Sequence, residues 1–188
     1  CFSLYWAKVV GGWGNNGMAV TDDKEIARKI KLMRYNGEDR EDRKFYYHGH
    51  NFLMDNLQAA LLNVKLKYLP QWLERRKEIA NLYHKELENI PQIKIPRFAD
   101  NRFADIYWNY VIRAERRDEL KKYLEEQGIE TMISWPIPTY KQPLMMPNEI
   151  SLPETERICK EVISLPVYPE LEDEQVDYVI KSVKGFYS

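Results

Sequence analysis

Apolar residues in this chain recur three or four apart in several long stretches and cluster or alternate in the short segments between them. This is the signature of helices joined by strands and turns. Ile26, Ile30 and Met33 hold helical spacing between a capping signature, Thr21-Asp22 with Glu25, and a stop at Asn36-Gly37. From Asp55, the spacing of Leu57, Ala60, Leu61, Val64 and Tyr68 predicts a helix that buries those side chains. Pro70 cannot sit in an undisturbed helix interior, so a kink or a fresh start with Pro70 in the first turn is expected. The helix that follows carries Trp72, Leu73, Ile79, Tyr83 and Leu87 inward and ends before Pro91. Ile93-Lys94-Ile95 and Tyr107 to Arg113 read as strands. Asp118 to Gln127 reads as a helix with Leu120, Tyr123 and Leu124 inward, closed by Gly128. Ile129 to Ser134 reads as another strand, ended by Pro136 and Pro138. Ser151-Leu152-Pro153-Glu154 reads as a capping box opening a helix to Ile163, and Val176, Val179, Ile180 and Val183 mark a last amphipathic helix.

The front of the chain follows a different rule. Phe2-Ser3-Leu4-Tyr5-Trp6-Ala7-Lys8 is a strand-like apolar stretch that brings a hydroxyl and an amine, five residues apart, to a glycine-rich turn from Gly11 to Gly17. Met18-Ala19-Val20 is expected to pair back on that strand. Residues 38 to 50 read as a long loop, and long ordered loops tend to be functional. Three segments result: 1–54, the connecting helices 55–90, and a small carboxy-terminal α/β sandwich over 91–188.

Composition narrows the function. With 28 basic and 29 acidic side chains the formal net charge is −1, so no global field attracts nucleic acid or an anionic membrane. Arg75-Arg76-Lys77 is interleaved with Glu74 and Glu78, as on a solvated helix face. No apolar run approaches the roughly 20 residues that span a bilayer. Cys1 and Cys159 make no disulfide framework, and a reduced cytoplasm is the expected location. His48 and His50 have no cysteine or acidic cluster to complete a ligand set, so no metal is expected. The glycine turn lacks the Gly-Lys-Ser/Thr of a nucleoside-triphosphate loop.

The Ser3…Lys8 layout suits an amine that forms a Schiff base with pyridoxal phosphate beside a hydroxyl that donates to the cofactor's phosphate. It resembles the lysine motif of the DegT–StrS family of sugar aminotransferases, Phe-Ser-Phe-x-x-x-Lys followed by Gly-Asp-Gly-Gly. Gly49-His50-Asn51-Phe52-Leu53-Met54-Asp55-Asn56-Leu57-Gln58-Ala59-Ala60 is similar to the family's Gly-x-Asn-x-Arg-Met-x-x-Leu-Gln-Ala-Ala. Val64 to Leu69, Glu74 to Ala80, Arg117 to Leu120, Gly128 to Thr131 and Leu165 to Leu171 continue the likeness in order, over essentially the whole chain.

The resemblance implies an α/β fold made of three parts: the end of a fold-type-I large domain, connecting helices and a small α/β sandwich domain. The family's lysine lies near mid-sequence, so this chain is expected to be a carboxy-terminal half. It implies Lys8 as the internal aldimine and proton shuttle, with pyridoxal 5'-phosphate as cofactor and pyridoxamine phosphate as its aminated form. It implies Ser3 as a phosphate ligand, and Asn51 as a ligand to the phosphate of the neighbouring subunit's cofactor, hence a homodimer with shared active sites. Glutamate is the expected donor and a keto group on a nucleotide-linked sugar the expected acceptor. Tyr140, within Pro136-Ile137-Pro138-Thr139-Tyr140-Lys141-Gln142-Pro143, stands for the histidine of a substrate-cleft stretch, Pro-x-His-x-Gln-Pro. Departures are Leu53 for the family's arginine, Trp6 for a proline, and Asn15-Asn16 for Asp-Gly; asparagine tolerates left-handed turns. An aminocyclitol-type transferase, or a non-catalytic dimerisation or regulatory module retaining the fold, are the alternatives. Lys8 argues against the related dehydratases, which carry histidine at that position.

Overall fold

Pro70 falls at the junction of two units, residues 1–70 and 71–188. The computed structural model describes residues 1–97, 103–145 and 150–188.

In the first unit, β1 (Phe2–Ser3) and β2 (Gly17–Met18) pair antiparallel, with Phe2 opposite Met18 and Ser3 opposite Gly17. The strand expected to run to Lys8 stops at Ser3. Tyr5 to Lys8 curls into a turn, closed by the Lys8 amide donating to the Tyr5 carbonyl at 2.8 Å. The Gly12 amide folds back to the Leu4 carbonyl at 3.0 Å and occupies the edge that a longer strand would use. Helix α1 (Lys24–Met33) is capped by Asp23, whose Oδ1 accepts from the amides of Glu25 and Ile26, and not by Thr21 or Asp22. It stops where expected: Asn36 and Gly37 take φ of 57° and 82°. A side chain at Gly37 would sit 1.7 Å from the Tyr47 carbonyl oxygen, so only glycine fits. Helix α2 (Asn56–Leu66) departs from the expected burial: Leu62 is its buried residue, while Leu57 is 67% and Tyr68, just past its end, 49% exposed. Its apolar residues lie on every side, so spacing alone did not select a face.

Helix α3 (Leu69–Leu87) restarts the helix with Pro70 in its first turn, as expected, and buries Ile79, Ala80, Tyr83 and Leu87 completely. In the second unit β3 (Ile93–Lys94), β4 (Tyr110–Ala114) and β5 (Val162–Leu165) form an antiparallel sheet in the order β3-β4-β5. Alternate β4 residues Tyr110, Ile112 and Ala114 face the core with α3, α4 (Arg117–Glu126) and α6 (Asp173–Phe186). From α6, the expected Val176, Val179, Ile180 and Val183 are all buried.

Three expectations change here. Residues 129–134 form no strand, only a bridge between Met132 and Ser164. Helix α5 (Pro153–Glu161) starts without a capping box, since Leu152 is its cap residue and Ser151 makes no cap bond. It ends at Glu161 because Val162-Ile163-Ser164-Leu165 pairs with β4 as the sheet's third strand. Buried arginines fasten that strand at both ends. Arg117 Nη1 donates to the carbonyls of Cys159 (3.2 Å) and Val162 (2.7 Å). Arg76 Nη1 donates to Val167 (2.7 Å), Tyr107 (3.1 Å) and Trp108 (3.3 Å).

Candidate functional site

The β1–β2 ladder continues past its last residue pair, because the Leu4 amide donates to the Asn16 carbonyl at 2.9 Å. That register sets Ser3 beside the Asn15–Gly17 turn. A second strap is the stretch from His50 to Phe52. His50 donates to the Met33 carbonyl and Phe52 to the Arg34 carbonyl, while Asn51 bridges Tyr35, so Asn51 is held against the end of α1. A side chain at Gly49 would meet the Gly37 amide at 2.2 Å; this close approach lets the strap lie flat.

The two straps border one cavity of about 520 Å³, lined by Ser3, Tyr5, Asn15, Asn16, Gly17, Asn51, Phe52, Leu53 and Met54. That volume is in the range of small-molecule sites. Ser3 and Asn51, read separately from distant motifs, thus meet in one chain. Lys8 is half-buried on the Tyr5–Lys8 turn and is not among the lining residues. No charged side chain lines the cavity, yet the hydroxyls of Ser3 and Tyr5 and three carboxamides do, and these make no side-chain hydrogen bond among the described residues. Uncommitted neutral donors beside the rings of Tyr5 and Phe52 fit a phosphorylated aromatic cofactor, since hydrogen bonds to an anionic oxygen are the strong kind.

Sequence reasoning passed over the residues that hold the glycine turn after Lys8 in place. Gln58 on α2 accepts from the Trp13 amide and donates to the Trp13 carbonyl, both at 2.8 Å. Lys65 Nζ, one further stretch along α2, donates to the Gly11 carbonyl at 2.5 Å. Gly11 tolerates no side chain, because a Cβ would lie 2.3 Å from the Trp6 carbonyl oxygen. Gln58 stood in the matched Leu-Gln-Ala-Ala block, the one signal that would have found it.

Tyr140 belongs to the second unit and is described there alone. It sits in the 3₁₀ turn Thr139–Lys141, half-buried. Its hydroxyl donates to Glu156 Oε1 at 2.5 Å and accepts from the Leu152 amide at 3.2 Å. Burial, then the bond to Glu156, pushes the phenol up; Glu156 is held below its ordinary value by Lys141, 2.7 Å away, and by Tyr140. No helix among the described residues is long and apolar enough to cross a membrane.

Comparison with known proteins adds an independent line. Residues 1–184 match the DegT/DnrJ/EryC1/StrS aminotransferase family. The chain is 38% identical over 193 residues to a pleiotropic regulatory protein of Geobacillus stearothermophilus, covering 99% of this chain and 51% of that protein. It is 36% identical over 190 residues to dTDP-3-amino-3,4,6-trideoxy-alpha-D-glucose transaminase of Streptomyces venezuelae, covering 97% and 48%. The crystal structure of S. venezuelae DesV in complex with a ketimine intermediate superposes with a TM-score of 0.93 at 34% identity, over 100% of this chain and 51% of that one. The chain spans about half the length of the curated relatives it matches.

Proposed function

Because the chain belongs to the DegT/DnrJ/EryC1/StrS aminotransferase family, we propose that the full-length protein is a pyridoxal 5'-phosphate-dependent aminotransferase. It moves an amino group from glutamate to a keto group on a nucleotide-linked sugar, with pyridoxamine phosphate as the aminated cofactor. The observation that carries this reading is the meeting of Ser3 and Asn51 on one uncharged, donor-rich cavity in a chain that matches the family from end to end. The relatives named as sugar transaminases support the substrate class.

When bound, the cofactor supplies an electron sink for carbanion chemistry. The chain's own residues hold and orient it. Ser3 Oγ would donate to the phosphate of this chain's cofactor, and the Asn51 carboxamide, whose strap borders the same cavity, to the phosphate of the neighbouring subunit's cofactor, in a homodimer with shared active sites. Lys8 Nζ would be the amine that anchors the cofactor and would hold or carry the proton at the reacting carbon. The Gln58 and Lys65 bonds fix the turn that follows Lys8. Tyr140 is a substrate contact only where its hydroxyl exchanges Glu156 for a sugar group. In this reading residues 1–54 complete the cofactor domain, 55–90 connect, and 91–188 form the small domain. A cytoplasmic location goes with free Cys1 and Cys159.

The test is an absorbance titration of full-length protein with pyridoxal 5'-phosphate, followed by borohydride reduction and peptide mapping. The expected result is a near-violet band that shifts on adding glutamate, with the reduced cofactor on Lys8. Absence of the band, or a band unchanged by Lys8→Ala, refutes the reading. The regulatory alternative is favoured by one observation, the regulatory name of a relative at 38% identity. It predicts no cofactor bonded to Lys8 and no amino transfer from any donor.

A further inference from the structure

Lys65 differs from the lysines that pair along a helix. Lys29, Lys121 and Lys122 each meet a glutamate one turn away on their own helix, with both side chains exposed. Lys65 is half-buried, and its ammonium reaches 54 residues back to the Gly11 carbonyl, with no carboxylate partner among the described residues. Gly11 passes that grip on. It is buried, and its bare Cα lies on the carbonyls of the Tyr5–Lys8 turn: a Cβ there would fall 2.3 Å from the Trp6 oxygen and 2.7 Å from the Tyr5 oxygen. The Tyr5 oxygen is also the acceptor of the Lys8 amide, at 2.8 Å. One carbonyl is thus bonded by Lys8 and pressed by Gly11. With no side chain between them to give way, a shift of Gly11 has to move the Tyr5–Lys8 turn as well. Gln58, two helical turns before Lys65 and so on the same face of α2, holds Trp13 as a second point of attachment.

We infer that Lys65 is a positioning residue for Lys8: its bond to Gly11 fixes, through the glycine turn, where the Lys8 backbone sits and so where the amine is delivered. The inference rests on the functional reading above and deepens it. Lys65 need touch neither cofactor nor substrate, since it acts through Gly11 and the Tyr5 carbonyl. An ammonium suits the task because a charged donor holds a carbonyl more strongly than a neutral one. Helix α2, with Leu62 as its buried residue, has little apolar packing to do the same work. A displacement of about 1 Å in a reacting group can cost on the order of 100-fold in rate. The signature of such a residue is a loss in the step at Lys8 rather than in affinity for the donor.

The test compares full-length wild type, Lys65→Met, Lys65→Gln, Lys65→Arg and Lys67→Met in two measurements. The first is amide hydrogen exchange at Lys8 in the cofactor-free protein, with α3 as the reference and melting temperature as the check on folding. The second is the single-turnover reaction of the protein loaded with pyridoxal 5'-phosphate, followed by absorbance over a range of L-glutamate concentrations. It separates the limiting rate from the half-saturating concentration. Lys65→Met should quicken exchange at Lys8 about tenfold, the equivalent of one net hydrogen bond. It should lower the limiting rate about 10- to 100-fold and leave half-saturation within about twofold. Lys65→Gln, too short to reach Gly11, should match it and carries the test if the methionine variant does not fold. Lys65→Arg restores a charged donor and should recover most of both losses. Lys67→Met removes an exposed charge just past the end of α2 and should change neither. Unchanged exchange at Lys8, an unchanged limiting rate, a loss confined to half-saturation, or equal losses in Lys67→Met each overturn the inference while leaving the aminotransferase reading intact. A wild type that takes up no cofactor, or does not react with glutamate, overturns the reading and the inference with it.

Discussion

Tyr83 and Tyr110 lie with ring centroids 4.9 Å apart in the same core, yet their hydroxyls meet opposite conditions. Tyr83 Oη donates to the Pro166 carbonyl at 2.8 Å. Tyr110 Oη is buried with no hydrogen-bond partner among the described residues. Burial pushes both phenols up, so neither ionises near neutrality and the hydrogen bond alone separates them. Tyr83→Phe should therefore cost about 1 kcal/mol, whereas Tyr110→Phe should be neutral or stabilise by up to about 1 kcal/mol, because it removes an unpaired buried hydroxyl. Urea unfolding of the two variants decides it, and equal costs would mean that Tyr110 has found a partner. Glu161 gives a pH-dependent counterpart. Arg113 Nε and Nη2 both donate to its Oε2, at 2.8 and 2.6 Å, holding the carboxyl below its ordinary 4.5. A depressed carboxyl stabilises the fold fully above its unfolded value and ceases to do so as pH falls through the folded one. Glu161→Gln should thus cost about 0.5–1 kcal/mol at pH 7 and nothing near pH 2, as read from denaturation midpoints at the two pH values.

At the scale of elements, the polar clamp between α2 and the glycine turn explains why a helix with so little buried surface is fixed at all. Leu62 is its buried residue, but Gln58 and Lys65 reach back to Trp13 and Gly11. Gln58→Leu keeps the helix propensity and removes both bonds. Amide exchange at Trp13 should quicken at least about tenfold, the equivalent of one lost net hydrogen bond, while exchange in α3 is unchanged. Uniform quickening everywhere would instead mean a global loss of stability. Much of this element map was legible in advance, and the reasons are particular. The stop at Asn36-Gly37 and the restart at Pro70 were readable because backbone chemistry, not packing, dictates them. Strand β5 was hidden: Val162 to Leu165 follows α5 without a turn residue, so helical spacing ran on into it until pairing with β4 settled the matter. Residues 129–134 erred the other way, with strand-like composition but only one bridge for lack of a continuous partner edge. Motif spacing singled out Ser3 and Asn51, which line one cavity, whereas Gln58 acts through its side chain on another segment's backbone, a contact that spacing does not encode.

For the whole molecule, the decisive fact is where the apolar core lies. Of the buried apolar side chains, Val10, Leu32 and Leu62 belong to residues 1–70, and all the others lie within 71–188. The second unit closes α3, α4 and α6 over one face of a sheet, with Ile79, Tyr83, Leu87, Tyr110, Ile112, Leu120, Leu124, Val176 and Val183 all fully or almost fully enclosed. A side chain of that size gains roughly 1.5–3 kcal/mol on burial. Such a core can offset the ordering entropy of a domain of this length, whereas three buried residues cannot do so for seventy. A fragment starting at Leu69, where α3 begins, should therefore unfold cooperatively in urea, with a slope in keeping with its size. Residues 1–70 alone should show no cooperative transition, since their local bonds, from the Asp23 cap to the Trp13 clamp, fix turns without enclosing a core. If the carboxy-terminal fragment instead melts gradually, or the amino-terminal one unfolds in a single sharp step, stability in this chain is distributed in some way other than by apolar burial.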